Sequence, residues 1–182
     1  MGNLVVTVRK GSLIMGFLKK LFANADLPAA SDGNKLYAPL NGRAVPITDV
    51  PDPTFAEGLL GDGIAIIPTD GRVCAPTDGT IESMFDTGHA LCMRSTTGVE
   101  ILIHVGLETV GLNGGPFRIH CKNGDTVRRG QLLIEADLAA IKAAGLPIIT
   151  PVLVCNSDCY ACFDAVTGRN VTQDDIIISV AK

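Results

Sequence analysis

Three histidines, His89, His104 and His120, are the chain's candidates for acid–base, nucleophilic or metal chemistry near neutral pH, and two of them stand in suggestive contexts. His104 lies near the end of VEILIHV (99–105). There Val99, Ile101, Ile103 and Val105 alternate with Glu100, Leu102 and His104, the period of a β-strand. His89 opens a second apolar segment, HALCM (89–93), and RSTTG (94–98) joins the two. Strands joined by so short a loop are expected to be antiparallel neighbours. Pairing that turns around residues 96 and 97 puts His89 directly opposite His104, with Cβ atoms about 4.5–5.5 Å apart on one face. Thr87, two residues before His89, supplies a hydroxyl on the same side. Gly106, two residues past His104, leaves one flank of that ring open.

A lone histidine in an apolar strand is more often a hydrogen-bonded core residue than a functional one. Two facing imidazoles are rarely core filler, because each ring needs partners for its nitrogens. The constellation is therefore His104, His89 and Thr87. No serine sits in a nucleophile elbow, and no Asp/His/Ser order is evident. Two histidines could hold zinc, but a closed or catalytic site needs a third protein ligand, and neither Glu108 nor Asp86 can be placed as one. Zinc at His89 and His104 would thus be adventitious or bridged by a partner's ligands. The remaining use is direct: one ring is the nucleophile for a phosphoryl group and the other donates a hydrogen bond to its oxygens.

The cysteines compete for attention. CNSDCYAC (155–162) spells C-x-x-x-C-x-x-C, a spacing that can ligate an iron–sulfur cluster in radical enzymes. Here Cys155 ends a strand, Ala161 stands where an aromatic is needed, and the chain is too short for the required barrel. Zinc would again lack a fourth ligand. Reduced thiols at Cys155, Cys159 and Cys162 are the expectation.

The elements that must position these residues are short. GIAIIP (63–68), GTIESMF (79–85), HALCM, EILIHV (100–105), QLLIEA (131–136), PVLVC (151–155) and DIIISV (175–180) are separated by Asp-Gly and Asn-Gly turns. This pattern predicts an all-β, antiparallel sandwich or barrel. One short helix is expected at DLAAIKAAG, with Asp137 as N-cap, Gly145 as stop and Pro147 beyond. YAPLNGRAVPITDV (37–50) and CAPTDGTIESMFDT (74–87) repeat Ala-Pro-x-x-Gly before an apolar strand. NGDTVRRGQLLIEADL (123–138) carries G-D-x-V-x-x-G-Q-x-L. Together they read as a duplicated barrel-sandwich hybrid motif.

With 182 residues the chain fits one domain with a full core. A net charge of −4 and 4% aromatic residues give no case for nucleic acid. No apolar run reaches the roughly 18–20 residues of a membrane span, and Arg9, Lys10, Lys19 and Lys20 interrupt any signal-peptide core. A cytoplasmic protein with reduced cysteines is the expected class. Residues 1–35 stand apart from the domain at 36–182. Within them, 15–22 form a basic amphipathic helix that could rest weakly on an anionic membrane, and 26–35 read as linker.

The stretches GDGIAIIP (61–68), APTDGTIESMFDTGHA (75–90), GVEILIHVGLETV (98–110), NGDTVRRGQLLIEADL and VPDPTFAEGLLGDG (50–63) closely resemble the glucose-class IIA component of the bacterial sugar phosphotransferase system. The likeness runs from about Leu36 to the C-terminus, and H-x-G-x-[DE]-T-V at 104–110 is specific to that family. MGFLKKLF at Met15 resembles the start of single-domain members, so residues 1–14 look like an upstream extension.

The resemblance implies a sandwich of two hybrid motifs and a cytoplasmic phosphocarrier without a cofactor. It implies phosphorylation of His104 on Nε2 by the histidine-containing phosphocarrier protein, and onward transfer to a cysteine of a glucose-type IIB domain. His89 would stabilise the phosphoryl oxygens, and Thr87 would orient the rings. Phe55, Leu59, Leu60, Phe85, Leu102 and Val110, with Gly106 and Glu108, match an exposed partner surface. Regulation of transporters or metabolic enzymes would be a further role. Gly88 replaces a usual Asn, Glu108 a commoner Asp, and Leu102 a frequent aromatic. A zinc metallopeptidase of similar architecture needs an H-x-H element, which is missing, and a lipoyl or biotinyl carrier needs a hairpin-tip Lys. A non-catalytic regulatory module stays compatible.

Overall fold

The computed structural model describes residues 34–182. Fourteen strands run in chain order: β1 (Asn34–Tyr37), β2 (Gly42–Pro46), β3 (Asp62–Pro68), β4 (Arg72–Cys74), β5 (Gly79–Met84), β6 (Ala90–Ser95), β7 (Glu100–His104), β8 (Phe117–Ile119), β9 (Thr126–Val127), β10 (Leu132–Ala136), β11 (Thr150–Val154), β12 (Cys162–Ala165), β13 (Asn170–Val171) and β14 (Ile176–Ala181). An eight-stranded sheet in the order β13-β2-β3-β11-β7-β6-β5-β9 is joined by two three-stranded sheets, β1-β14-β12 and β4-β10-β8. The strand pairs are antiparallel, as the short apolar segments and tight turns require. β1 begins at Asn34, inside the stretch expected to be linker, while the expected helix at 15–22 lies outside the described residues. No helix among the described residues is long and apolar enough to cross a membrane.

The duplication is written in the backbone hydrogen bonds. Tyr37 N–H donates to the Pro76 carbonyl at 2.9 Å, and at the equivalent place in the other repeat Cys74 N–H donates to Pro39 at 2.8 Å. Gly42 pairs with Val171 as Gly79 pairs with Val127. The Asn41 side chain accepts from Gln173 N–H at 3.0 Å, and Asp78 accepts from Arg129 N–H at 2.8 Å.

These contacts identify a second copy of the G-D-T-V turn, GRNV at 168–171, which the sequence pattern does not reveal. Gly168 N–H donates to Ala44 at 2.8 Å just as Gly124 N–H donates to Ile81 at 2.8 Å. Main-chain atoms make those bonds, so the side chains there were free to diverge.

The large sheet is buried on both faces. Ile64, Ile66, Leu91, Met93, Ile101, Ile103 and Val152 enter the main core between the sheets. Their neighbours Ala65, Ala90, Cys92, Leu102 and Leu153 form a second cluster on the outer face with Val50, Phe55, Leu107 and Ile149. Strand alternation divides the residues between the two cores, and each fully buried Ile or Leu contributes about 1.5–3 kcal/mol.

Among the described residues, two short α-helices are present where one was expected. α1 (Pro53–Ala56) is a single turn in which Asp52 caps Thr54 N–H at 2.8 Å and Pro53 sits in the first turn; it drives Phe55 into the outer cluster. α2 (Leu138–Ala143) is the expected helix. Asp137 accepts from Ala140 N–H at 2.9 Å, and Gly145 stops the helix at φ 76°.

Candidate functional site

His104 ends β7 on the outer face, two residues after Leu102, at the rim of the second apolar cluster. The β6–β7 register pairs it with Ala90, not with His89 as the sequence suggested. The hairpin closes one residue differently from a turn centred on 96 and 97. Ser95 N–H reaches the Val99 carbonyl at 2.9 Å, the Ser95 hydroxyl accepts from Val99 N–H at 2.9 Å, and Gly98 turns the chain at φ 90°.

The rings meet nonetheless. His89 precedes β6 and follows Gly88 at φ 68°, so strand alternation does not set its direction. The imidazoles lie 5.0 Å apart at 76°. Phe55 stands against His104 at 5.2 Å and 59°, and Phe85 against His89 at 5.2 Å and 64°. Each imidazole is therefore in contact with one phenylalanine as well as with the other histidine.

Both Nδ1 atoms are occupied. His104 Nδ1 lies 2.7 Å from the Gly106 carbonyl oxygen, which can only accept, so Nδ1 carries the proton and the lone pair of the neutral ring is on Nε2. His89 Nδ1 lies 2.5 Å from the Thr87 hydroxyl. Burial pushes the His89 pKa down to about 4, with the charge of His104 adding to the effect. Burial also lowers the His104 pKa, against the opposing pull of the Gly106 carbonyl and the carboxylates of Asp52 and Glu108. At pH 7 both rings are neutral.

Gly106 is itself closely packed. At φ 72° a Cβ there would meet Thr109 Cγ2 at 2.7 Å and the Pro147 carbonyl oxygen at 2.8 Å, so glycine is needed where backbone closes on the site. The exposed apolar patch also needs correction. Phe55, Leu60 and Leu102 are buried floor, Leu59 and Phe85 are half-buried, and Val110 is 50% exposed. The segments that follow α1 and β7 bring Leu60 and Leu107 into the outer cluster, which leaves Val110 and Glu108 exposed and Leu59 and Phe85 half-buried.

His120 is a surface residue whose Nε2 lies 2.7 Å from a carboxylate oxygen of Glu135. All six cysteines are free; Cys74, Cys92 and Cys121 are buried, while Cys159 and Cys162 are exposed. Among the described residues, no group of three or more His, Cys, Asp and Glu side chains could hold a metal ion. Neither Asp86 nor Glu108 completes a metal set with the histidine pair. Sequence reasoning missed Asp52, whose cap fixes the turn that carries Phe55, although Asp-Pro is a legible helix start.

The family model for the phosphoenolpyruvate-dependent sugar phosphotransferase system, EIIA 1, matches residues 34–160. The chain is 48% identical over 150 residues to the glucose-specific EIIA component of Halalkalibacterium halodurans, covering 80% of this chain and 87% of that protein. It is 35% identical over 168 residues to the glucose-specific EIIA component of Haemophilus influenzae, covering 92% and 100%. It is also 47% identical over 136 residues to the beta-glucoside-specific EIIBCA component of Dickeya chrysanthemi, covering 75% of this chain and 22% of that longer protein. Among solved structures, glucose permease IIA from Mycoplasma capricolum superposes with a TM-score of 0.76 at 30% identity, over 82% of this chain and 96% of that one. A family match over most of the described fold, with this sandwich and this histidine pair, makes the chain a member of the EIIA 1 family of the phosphoenolpyruvate-dependent sugar phosphotransferase system.

Proposed function

We propose that His104 is the phosphoryl acceptor of a cytoplasmic sugar-uptake relay. It takes the group from the histidine-containing phosphocarrier protein and gives it to a cysteine of a glucose-type IIB domain. The observation that carries this is the hydrogen bond from His104 Nδ1 to the Gly106 carbonyl, which leaves Nε2 as the nucleophilic atom. The Nε2 lone pair forms the new P–N bond while the donor's P–N bond breaks and its electron pair returns to the donor ring. On the forward step the cysteine thiolate displaces Nε2 in the same way. His104 keeps its Nδ1 proton throughout.

With the Thr87 hydroxyl donating to His89 Nδ1, His89 carries its proton on Nε2 and turns that N–H toward the phosphoryl oxygens. A neutral His104 suits a nucleophile, and the apolar floor beneath it limits water at the reacting atom. The relay uses no cofactor of its own; positioning between docked partners supplies the catalysis. The EIIBCA relatives, whose names join an A component to B and C components, support a IIB partner.

The test is incubation with phosphoenolpyruvate, enzyme I and the phosphocarrier protein, followed by assay of acid-labile phosphate. His104→Ala is expected to abolish labelling. His89→Gln is expected to label but to fail in transfer to IIB. Full labelling of His104→Ala would overturn the assignment.

A further inference from the structure

The geometry points to Thr109 as a positioning residue that sets the His104 tautomer through the backbone of Val105 and Gly106. This rests on the reading of His104 as the phosphoryl acceptor. Thr109 is fully buried and starts the 3-10 turn Thr109–Leu112, one residue after Glu108 at φ 57°. Its hydroxyl donates to the Val105 carbonyl at 2.7 Å, and its methyl faces the Gly106 Cα, where a Cβ would come within 2.7 Å of Cγ2.

The two peptide units around Gly106 are thereby held from separate directions. The unit before it has its carbonyl on Thr109. The unit after it presents its carbonyl to His104 Nδ1 while its N–H, that of Leu107, donates to Pro147 at 3.0 Å. A peptide whose N–H is already bonded is a stronger acceptor at its oxygen. Val105 N–H donates to the His89 carbonyl at 2.7 Å, so the same three-residue segment also reaches the second histidine.

A threonine hydroxyl bonded four residues back is common inside helices, where it merely competes with the backbone. Here the chain between the two residues is a loop, with Gly106 at φ 72° and Glu108 at φ 57°, and the hydroxyl fixes that loop rather than decorating a helix. With Gly106 free to rotate, the imidazole would lose this acceptor, and its proton would distribute between the two nitrogens.

The experiment uses the full chain with ¹⁵N-labelled histidine, reading the His104 ring nitrogens by long-range ¹H–¹⁵N NMR and the initial rate of labelling by the phosphocarrier protein. Wild type is expected to show one tautomer with Nε2 unprotonated. Thr109→Val should give mixed tautomers and an initial rate down about tenfold. Thr109→Ser, which keeps the hydroxyl, should retain the tautomer and stay within about threefold of the wild-type rate.

A single Nε2-unprotonated tautomer and an unchanged rate in Thr109→Val overturn the proposal. If that variant does not fold, Thr109→Ser decides alone, and mixed tautomers in it overturn the claim for the hydroxyl. Absence of wild-type labelling would instead count against the phosphoryl reading, while the NMR result still judges the positioning of the ring.

Discussion

The rings of His89 and His104 lie 5.0 Å apart although the residues are not paired across the hairpin; His104 faces Ala90 in the ladder. Their closeness therefore depends on the turn Thr87–Gly88 and on what lies beneath it, not on strand register. A Cβ at Gly88 would meet Phe117 Cβ at 2.8 Å with φ at 68°. Gly88→Ala is expected to lose about 1–2 kcal/mol in urea denaturation. It should also shift the His89 ring resonances and slow transfer to IIB. Unchanged resonances would show that β8 does not brace this turn.

Acid should destabilise the protein through His89. Its folded pKa is about 4, below the ordinary histidine value near 6.5, so the unfolded chain binds the proton first as pH falls. This contribution is fully present above pH 6.5 and is lost between about 6.5 and 4, at no more than about 1.4 kcal/mol per pH unit. Denaturation curves at several pH values in that window should therefore be flatter for His89→Gln. An identical slope in the variant would remove His89 as the cause; His104, lowered in the same direction, leaves some slope in either case.

Phe55 serves both the floor and the ring. It is 5% exposed and contacts His104 at 5.2 Å. Phe55→Ala is expected to cost about 3 kcal/mol, and Phe55→Leu under about 1.5 kcal/mol because most of the volume is kept. Both variants lose the aromatic contact, so the initial labelling rate should fall in Phe55→Leu despite its smaller loss of stability. A wild-type rate in that variant would mean that the contact is not used.

Native protein should present about two rapidly reacting thiols of its six to an aromatic disulfide reagent, those of Cys159 and Cys162. Cys92 is fully buried, and desolvation pushes its thiol up to about 12. Chelators should leave both the thiol count and the melting temperature unchanged. An increase in reactive thiols after chelation would reveal a metal on the 155–162 segment.

The sequence by itself determined seven of the strands (β3, β5, β6, β7, β10, β11 and β14), the split of VEILIHV between two faces, the cap and stop of α2, and the identity of the histidine pair. Each depends on periodicity or on a short motif whose chemistry is local. Val99, Ile101, Ile103 and Val105 lie in the main core, and Leu102 in the outer cluster, as alternation requires.

Only the tertiary structure decided the one-residue register of the β6–β7 hairpin, because a serine hydroxyl and a left-handed glycine compete with the simplest turn. It also decided that Phe55, Leu60 and Leu102 are floor rather than docking surface, since they gather in one outer cluster with residues far away in sequence such as Ile149 and Leu153. The partner of His104 Nδ1 is a main-chain oxygen of Gly106, and its aim depends on Thr109 and on Pro147, which lies beyond α2. A backbone carbonyl has no residue type, so no spacing of side chains along the chain could have announced it.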